Sequence, residues 1–276
     1  MFRLTSLQNQ RIKEIVRLRQ GKERRKMHRF LIDGRREIRR AISQKFPVEE
    51  IFFCPELADE ETKNWVIQLE KTSSHALHFW EVTENIFTKI AYGQREDGVL
   101  AVAKSVKKTL DDIYHQLPTN TPFRIAILEG VEKPGNVGAI LRSADGAGIS
   151  ALILASPGTD LFNPNTIRAS LGTIFSVPTC VAEPEEIISW LNLHHITPYA
   201  ARVDGAIPYT DADFTIPCAI ILGSEAWGLS SHFSGGNIQP IFLPMCGIAD
   251  SLNVSTSAAI LFYESLRQQN LISTTR

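Results

Sequence analysis

From residue 123 onward, short apolar runs rich in Ile, Leu and Ala alternate with stretches of helical character. Strands are expected at 123–128, 151–155, 177–181, 198–203, 218–222 and 239–243, and helices at 137–147, 164–171, 184–191 and 254–269. Strands this apolar need cover on both faces. Helices between successive strands supply that cover when the sheet is parallel. A buried, mostly parallel α/β sheet is therefore the expected architecture of the second half.

The first half alternates in the same way on a smaller scale. Helices are expected at 11–29, 35–44, 60–71 and 84–91, and strands at 30–33, 48–54, 78–82 and 99–103. Ile12, Ile15, Val16 and Leu18 give the first helix its apolar positions. Together these elements describe a small α/β sandwich. The stretch 104–121 is polar, lacks a strong apolar period and runs into Pro118-Thr-Asn-Thr-Pro122. It is the expected linker, which divides the 276 residues into a domain at 1–105, a linker at 106–121 and a domain at 122–276.

Bulk properties narrow the class. No run approaches the ~20 apolar residues of a membrane span. The opening Met-Phe-Arg-Leu-Thr-Ser has no apolar core of the secretory kind. Cys54, Cys180, Cys218 and Cys246 are widely spaced and form no Cys-x-x-Cys pair, so zinc is not expected. Reduced thiols in a cytoplasmic protein fit this usage. The net charge of -1 conceals an asymmetry. Residues 1–45 hold 15 Lys or Arg against Glu14, Glu23, Asp33 and Glu37, a balance of +11, and the remainder carries -12. A basic end on an acidic body suggests a polyanion-binding arm, and a solvated basic helix is the plainer reading.

Three segments carry fixed polar residues beside glycines where strands give way to loops. They are Asn136-Val-Gly-Ala-Ile-Leu-Arg142, Gly223-Ser-Glu-Ala-Trp-Gly-Leu229 and Leu243-Pro-Met-Cys-Gly-Ile-Ala-Asp-Ser-Leu-Asn-Val-Ser255. In open α/β sheets that edge is where ligands bind. Asn136 is placed to cap a helix whose Val137, Ile140, Leu141 and Ala144 form one stripe, with Arg142 nearly opposite it. A solvated Arg142 paired with Asp145 is the alternative reading. Gly223 and Gly228 permit close backbone approach to a ligand. Glu225 sits at a strand's carboxyl end, where capping the turn's amides is its ordinary role, and Trp227 could serve packing alone. One N-cap, Ser251 or Asn253, would suffice for the last helix, yet Ser, Asn and Ser stand at alternate positions. Gly130, Gly135 and Gly138 do not make a dinucleotide fingerprint. Gly-x-Ser-x-Gly is absent. His194-His195 reads as a surface pair, and Tyr199, Tyr209 and Tyr263 as packing residues.

The three segments resemble motifs 1, 2 and 3 of the SpoU/TrmH branch of the SPOUT methyltransferases, in order and with fitting spacing. The pattern from Ser6-Leu-Gln-Asn-Gln-Arg-Ile-Lys through Arg29-Phe-Leu-Ile-Asp-Gly-Arg is similar to the substrate-binding domain of ribosomal-RNA members, whose fold resembles certain small RNA-binding ribosomal proteins. The resemblance implies a deep trefoil knot near the C-terminus and S-adenosyl-L-methionine as cofactor. It implies methylation of a ribose 2′-hydroxyl in RNA, with ribosomal RNA expected ahead of transfer RNA, and a non-catalytic RNA-binding relative as the other class. It assigns the polar set Asn136, Arg142, Glu225, Ser251 and Asn253 to catalysis. Cofactor contacts map to Leu222, Gly223, Leu243, Met245 and Leu252, and no metal is required. A homodimer through the C-terminal domain is also implied, with the Phe- and Leu-rich face of helix 254–269 as a contributor.

Overall fold

The computed structural model describes residues 1–73, 77–93, 97–156 and 160–274. Its backbone separates into two compact units. One is Met1–Val106 with Phe162–Ser176, and the other is Lys107–Leu161 with Val177–Arg276. Residues 275 and 276, the end of the expected second domain, lie outside the described residues.

The first unit runs β1 (Phe2–Leu4), α1 (Gln10–Arg17), α2 (Gly21–Met27), β2 (Arg29–Asp33), α3 (Arg35–Ser43), β3 (Val48–Phe53), α4 (Glu60–Thr72), β4 (His78–Val82), α5 (Glu84–Ile90) and β5 (Val99–Lys104). The strands form one mixed sheet in the order β1-β4-β3-β5-β2. β1 and β3 flank β4 in parallel, and β5 runs antiparallel to both β3 and β2. Ile12, Ile15 and Leu18 bury against Phe52, Phe87, Leu100 and Val102.

Where the pattern predicts one helix over 11–29, the structure has two. The apolar stripe ends at Leu18, so a continued helix would have no face to bury. Arg24 is buried, and its Nη1 donates to the carbonyls of Leu18 at 2.8 Å and Arg19 at 2.9 Å. Those are carbonyls that the end of α1 leaves without helical partners. Arg19 in turn makes a two-pronged pair with Asp33 and donates to the Ile90 carbonyl. The unexpected β1 is a three-residue strand at the sheet's edge, too short for a pattern to show.

The second unit begins with α6 (Leu110–Tyr114), inside the expected linker. Thr109 and Asp112 form a reciprocal capping box at its start. Leu110 and Ile113 enter the core beside Ile187 and Trp190. A helix of five residues offers barely one apolar repeat, so periodicity does not reveal it. The chain continues through β6 (Arg124–Glu129), α7 (Pro134–Ala147) and β7 (Ala151–Ala155), then α8 (Pro164–Ala169), and then β8 (Thr179–Ala182), α9 (Pro184–Leu193), β9 (Thr197–Ala201), β10 (Ile207–Pro208), β11 (Cys218–Leu222), β12 (Gln239–Phe242) and α10 (Val254–Thr274).

α8 and its flanks, expected within the second domain, belong to the first unit. Aromatic packing explains this. The Phe162 ring stacks on Phe30 with centroids 4.1 Å apart, and Phe175 meets Phe46 edge-on at 5.1 Å. Arg40 also donates to the Leu171 carbonyl at 2.7 Å.

Seven strands form the second sheet in the order β10-β12-β9-β11-β6-β7-β8. Every neighbouring pair is parallel, as expected. All carboxyl ends therefore open at one edge. The chain walks outward from β6 to β8, then resumes on the other side of β6 with β9, β11 and β12. That reversal creates the crevice where α/β sheets bind ligands.

Two packing expectations change here. Leu261 and Phe262 of α10 are wholly buried within their own unit, so that face is not free for a partner subunit. Tyr263 is exposed rather than packed, whereas Tyr199 is buried with its hydroxyl on the Asp213 backbone. Cys54, Cys180 and Cys218 are buried and Cys246 is exposed. Burial raises the Cys54 thiol to about 11 and those of Cys180 and Cys218 to about 12. Among the described residues, no helix is long and apolar enough to cross a membrane.

Candidate active site

The loops that leave β9, β11 and β12 enclose a cavity of about 500 Å³ at the carboxyl edge of the second sheet. Small-molecule sites commonly measure about 300–1,000 Å³. Leu222, Gly223, Leu243, Met245 and Leu252 all line it, as do Glu225 and Ser251. Aliphatic side chains and loop glycines thus share the wall with Arg202, Asp204, Glu225 and Asp250. That composition suits a nucleoside-sized ligand, with apolar surface for its flat parts and polar groups for its hydroxyls and charges.

Gly223 is required for a reason other than ligand approach. A Cβ placed there would lie 2.2 Å from the carbonyl carbon of Gly228 and 2.5 Å from the Leu229 nitrogen. The loop 224–228 folds back on its own stem, with Ser224 and Gly228 exchanging backbone hydrogen bonds at 3.1 and 3.0 Å. Gly228 itself adopts φ of +66°, a left-handed conformation that favours glycine.

Three polar residues from the three segments meet. Asn136 donates through Nδ2 to Glu225 Oε1. Asn253 Nδ2 donates to Asn136 Oδ1 at 3.5 Å. Asn253 Oδ1 accepts from the Ser255 amide at 2.9 Å and the Ser255 hydroxyl at 2.6 Å. Asn253 is therefore the residue that caps α10, and Ser255 steadies the cap. Asn136 is not an N-cap. Pro134 begins α7, because its missing N–H costs nothing in a first turn. Asn136 then sits within that turn, with its side chain free to bridge.

Ser251 lines the cavity and is exposed. Arg142 is exposed on α7, opposite the buried stripe of Val137, Ile140, Leu141 and Ala144. No ion pair engages it among the described residues, so the pairing with Asp145 is not formed. The structure brings Asn136, Glu225 and Asn253 into one hydrogen-bonded chain. Ser251 stands on the cavity wall, and Arg142 stands apart as an unpaired cation.

Pattern reading misses several contributors. Arg202 and Asp204, just past β9, line the cavity and pair through two hydrogen bonds of 2.7 and 2.9 Å. These bonds hold the Asp204 carboxyl below its ordinary range and raise Arg202. Arg202 also donates to Ser234 Oγ at 2.6 Å. Glu129, buried at the end of β6, accepts from the Ser230 amide at 2.7 Å and its hydroxyl at 2.6 Å. It ties the end of the β11 loop to the sheet, and its one signal is an acid closing an apolar strand. Among the described residues, no group of three or more metal-ligating side chains occurs.

Comparison with known proteins identifies related chains. Residues 124–263 match the SpoU rRNA Methylase family, and residues 9–101 match an MRM3-like substrate binding domain. A 23S rRNA (guanosine(2553)-2′-O)-methyltransferase from Bacillus subtilis is 26% identical, with 95% of this chain and 98% of the relative aligned. A 23S rRNA (uridine(2479)-2′-O)-methyltransferase from Streptomyces viridochromogenes is 28% identical over 87% of this chain and 83% of its own. The crystal structure of the SpoU methyltransferase AviRb from the same species, in complex with AdoMet, superposes with a TM-score of 0.85. It is 27% identical and covers 95% of this chain and 99% of that one.

Proposed function

This chain belongs to the SpoU rRNA methylase family, and we propose that it transfers a methyl group from S-adenosylmethionine to a ribose 2′-hydroxyl of RNA. Ribosomal RNA is the substrate favoured over transfer RNA, because relatives named for 23S rRNA align along nearly the whole chain. The observation that carries the reading is the convergence of Asn136, Glu225 and Asn253 at the cavity that Leu222, Gly223, Leu243, Met245 and Leu252 line.

The sulfonium methyl group supplies an activated carbon. Held in the cavity, S-adenosylmethionine would offer that carbon to the ribose oxygen, its sulfur would leave as a neutral thioether, and the hydroxyl proton would pass to solvent. A 2′-hydroxyl is a poor nucleophile, so in-line positioning supplies much of the acceleration. Leu222, Gly223, Leu243, Met245 and Leu252 hold the cofactor. Arg142 binds the phosphate beside the target ribose and stabilises the developing alkoxide. Its permanent charge and planar fork suit that role better than proton abstraction. Asn136, Asn253 and Ser251 orient the ribose, and Glu225 fixes Asn136.

The first unit captures RNA. Of its basic residues in 1–45, Arg3, Arg11, Arg19, Arg29, Arg35, Arg36 and Arg39 are drawn into ion pairs. Lys13, Arg17, Lys22, Arg25 and Lys26 are exposed on α1 and α2 with no ion pair among the described residues. The +11 balance thus leaves five cations on two successive helices for phosphates.

The finer features of the family complete the proposal. They are a deep trefoil knot near the C-terminus, a homodimer through the second unit with exposed Tyr263 as a contributor, and a cytoplasmic location. Mapping 2′-O-methyl sites in RNA from a strain lacking the gene tests the function. One site lost from ribosomal RNA is expected, and a complete set of sites would contradict it.

A further inference from the structure

The β11 loop carries one large side chain that the chemistry above leaves without a task. Trp227 is 89% exposed, while Trp190 is buried and Trp65 and Trp80 are half-buried. Packing, the plain reading of the sequence, does not account for it. Nor is its exposure the result of a slack loop. The Ser224–Gly228 backbone pair closes the turn, the Trp227 amide donates to Ser224 Oγ at 3.1 Å, and the missing side chain at Gly223 lets the Gly228 backbone pack directly against the stem. A tight turn holds the indole in water, although burial of an aromatic ring of that size is strongly favoured elsewhere.

Its surroundings indicate a partner. Trp227 itself lines the cavity, and so do the exposed Val203 and Leu252. Exposed apolar side chains gathered on one cavity mark an interaction site. Two residues earlier in the same turn, and on the same cavity, stands Glu225 with its link to Asn136. The ring thus shares the cavity wall with the start of the polar chain, where the proposed function places the sugar of an RNA nucleotide. RNA offers one flat, uncharged group next to each ribose, which is its base. Exposed aromatic rings bind unpaired bases by stacking, with little regard to sequence.

We propose that Trp227 is the platform on which an unpaired RNA base stacks, fixing the nucleotide whose ribose is methylated. This rests on the RNA reading of the site. Three variants test it, Trp227→Ala, Trp227→Leu and Trp227→Phe, each assayed for methyl transfer to unmodified ribosomal RNA made by transcription and for S-adenosylhomocysteine affinity. Trp227→Ala and Trp227→Leu are expected to lower kcat/KM for RNA by about tenfold or more, as when one base is no longer stacked. Trp227→Phe should restore most of it, and S-adenosylhomocysteine affinity, although Trp227 lines the cavity, should change much less than kcat/KM for RNA. Equal rescue by Leu would make the ring's role simple apolar packing and overturn the proposal. A parallel fall in S-adenosylhomocysteine affinity would assign the ring to the cofactor wall instead. If the unaltered protein methylates no RNA, the parent reading fails first and this one with it, whereas activity unchanged in Trp227→Ala refutes the stacking role alone.

Discussion

Asn136 in the first turn of α7 donates a hydrogen bond to Glu225 in the loop after β11, across 89 residues of sequence. Through Asn136 the link continues to Asn253 at the start of α10. One hydrogen-bonded chain thus ties three strand-end segments into a single site.

That chain predicts the behaviour of Asn136→Asp. A second carboxylate would face Glu225, and the pair would repel where a donor is needed. Methyl transfer is expected to fall by about 10²-fold, as for loss of one positioned donor. S-adenosylhomocysteine affinity, read by calorimetry, should hold, because neither Asn136 nor Asn253 lines the cavity. Wild-type transfer in this variant would remove the polar chain from the account.

Cofactor binding is expected to depend on the tight turn over Gly223. Calorimetry should find one S-adenosylhomocysteine site per chain. Gly223→Ala is enough to abolish it, since even a methyl group meets the Gly228 backbone at 2.2 Å. Undiminished binding by Gly223→Ala would place the cofactor elsewhere.

The five unpaired cations of α1 and α2 should dominate RNA capture. Replacing Lys13, Arg17, Lys22, Arg25 and Lys26 together by Ala should flatten the dependence of log affinity on log salt by up to about 4.5, at about 0.7–0.9 for each phosphate no longer neutralised. Replacing the ion-paired Arg29 and Arg35 should change the slope little, because their charges are already matched by Glu49, Asp59 and Glu61. Equal slopes for the two variants would contradict the assignment.

Thiol chemistry offers an independent check on burial. A raised pKa means the neutral thiol persists until the pH climbs to that value. Cys54, near 11, and Cys180 and Cys218, near 12, should therefore stay unreactive at about pH 8–9 in the folded protein. Exposed Cys246 follows Met245 on the cavity wall. A thiol reagent should modify one group per chain, more slowly with S-adenosylhomocysteine bound. Four fast groups would mean that the cores are not packed as described.

Arg142→Ala should leave the fold intact, because Arg142 points away from the buried stripe of α7. Single-turnover transfer with saturating RNA is expected to drop by about 10²–10³-fold, and Arg142→Lys should rescue poorly. A near wild-type rate would move the catalytic centre.

Much of this site is legible in the sequence because its parts obey different local rules from the rest. Leu222, Gly223 and Leu243 stand where apolar strands stop, and in an all-parallel sheet every such stop faces one edge. Polar residues repeated beyond what one helix cap needs signal a task besides capping, as at Ser251 on the cavity wall and at Asn253, which also reaches Asn136, whereas Ser255 serves the cap itself. Arg202 and Asp204 escape notice because their pairing exists only once the loop after β9 is folded. The break at Leu18 is hidden in the same way, since the buried Arg24 that stabilises it reads as one more surface cation. Membership of Phe162 and Phe175 in the first unit depends on stacking with rings more than a hundred residues earlier, which no local period encodes.

The central claim concerns one oxygen atom. Incubating the protein with methyl-labelled S-adenosylmethionine and unmodified ribosomal RNA, followed by alkaline hydrolysis, tests it directly. Alkali cleaves RNA through the free 2′-oxygen, so a methyl group there protects the adjoining linkage. The label should emerge in alkali-resistant dinucleotides and vanish with Arg142→Ala. Label recovered in mononucleotides would mean methylation of a base, and would contradict ribose 2′-O-methyl transfer.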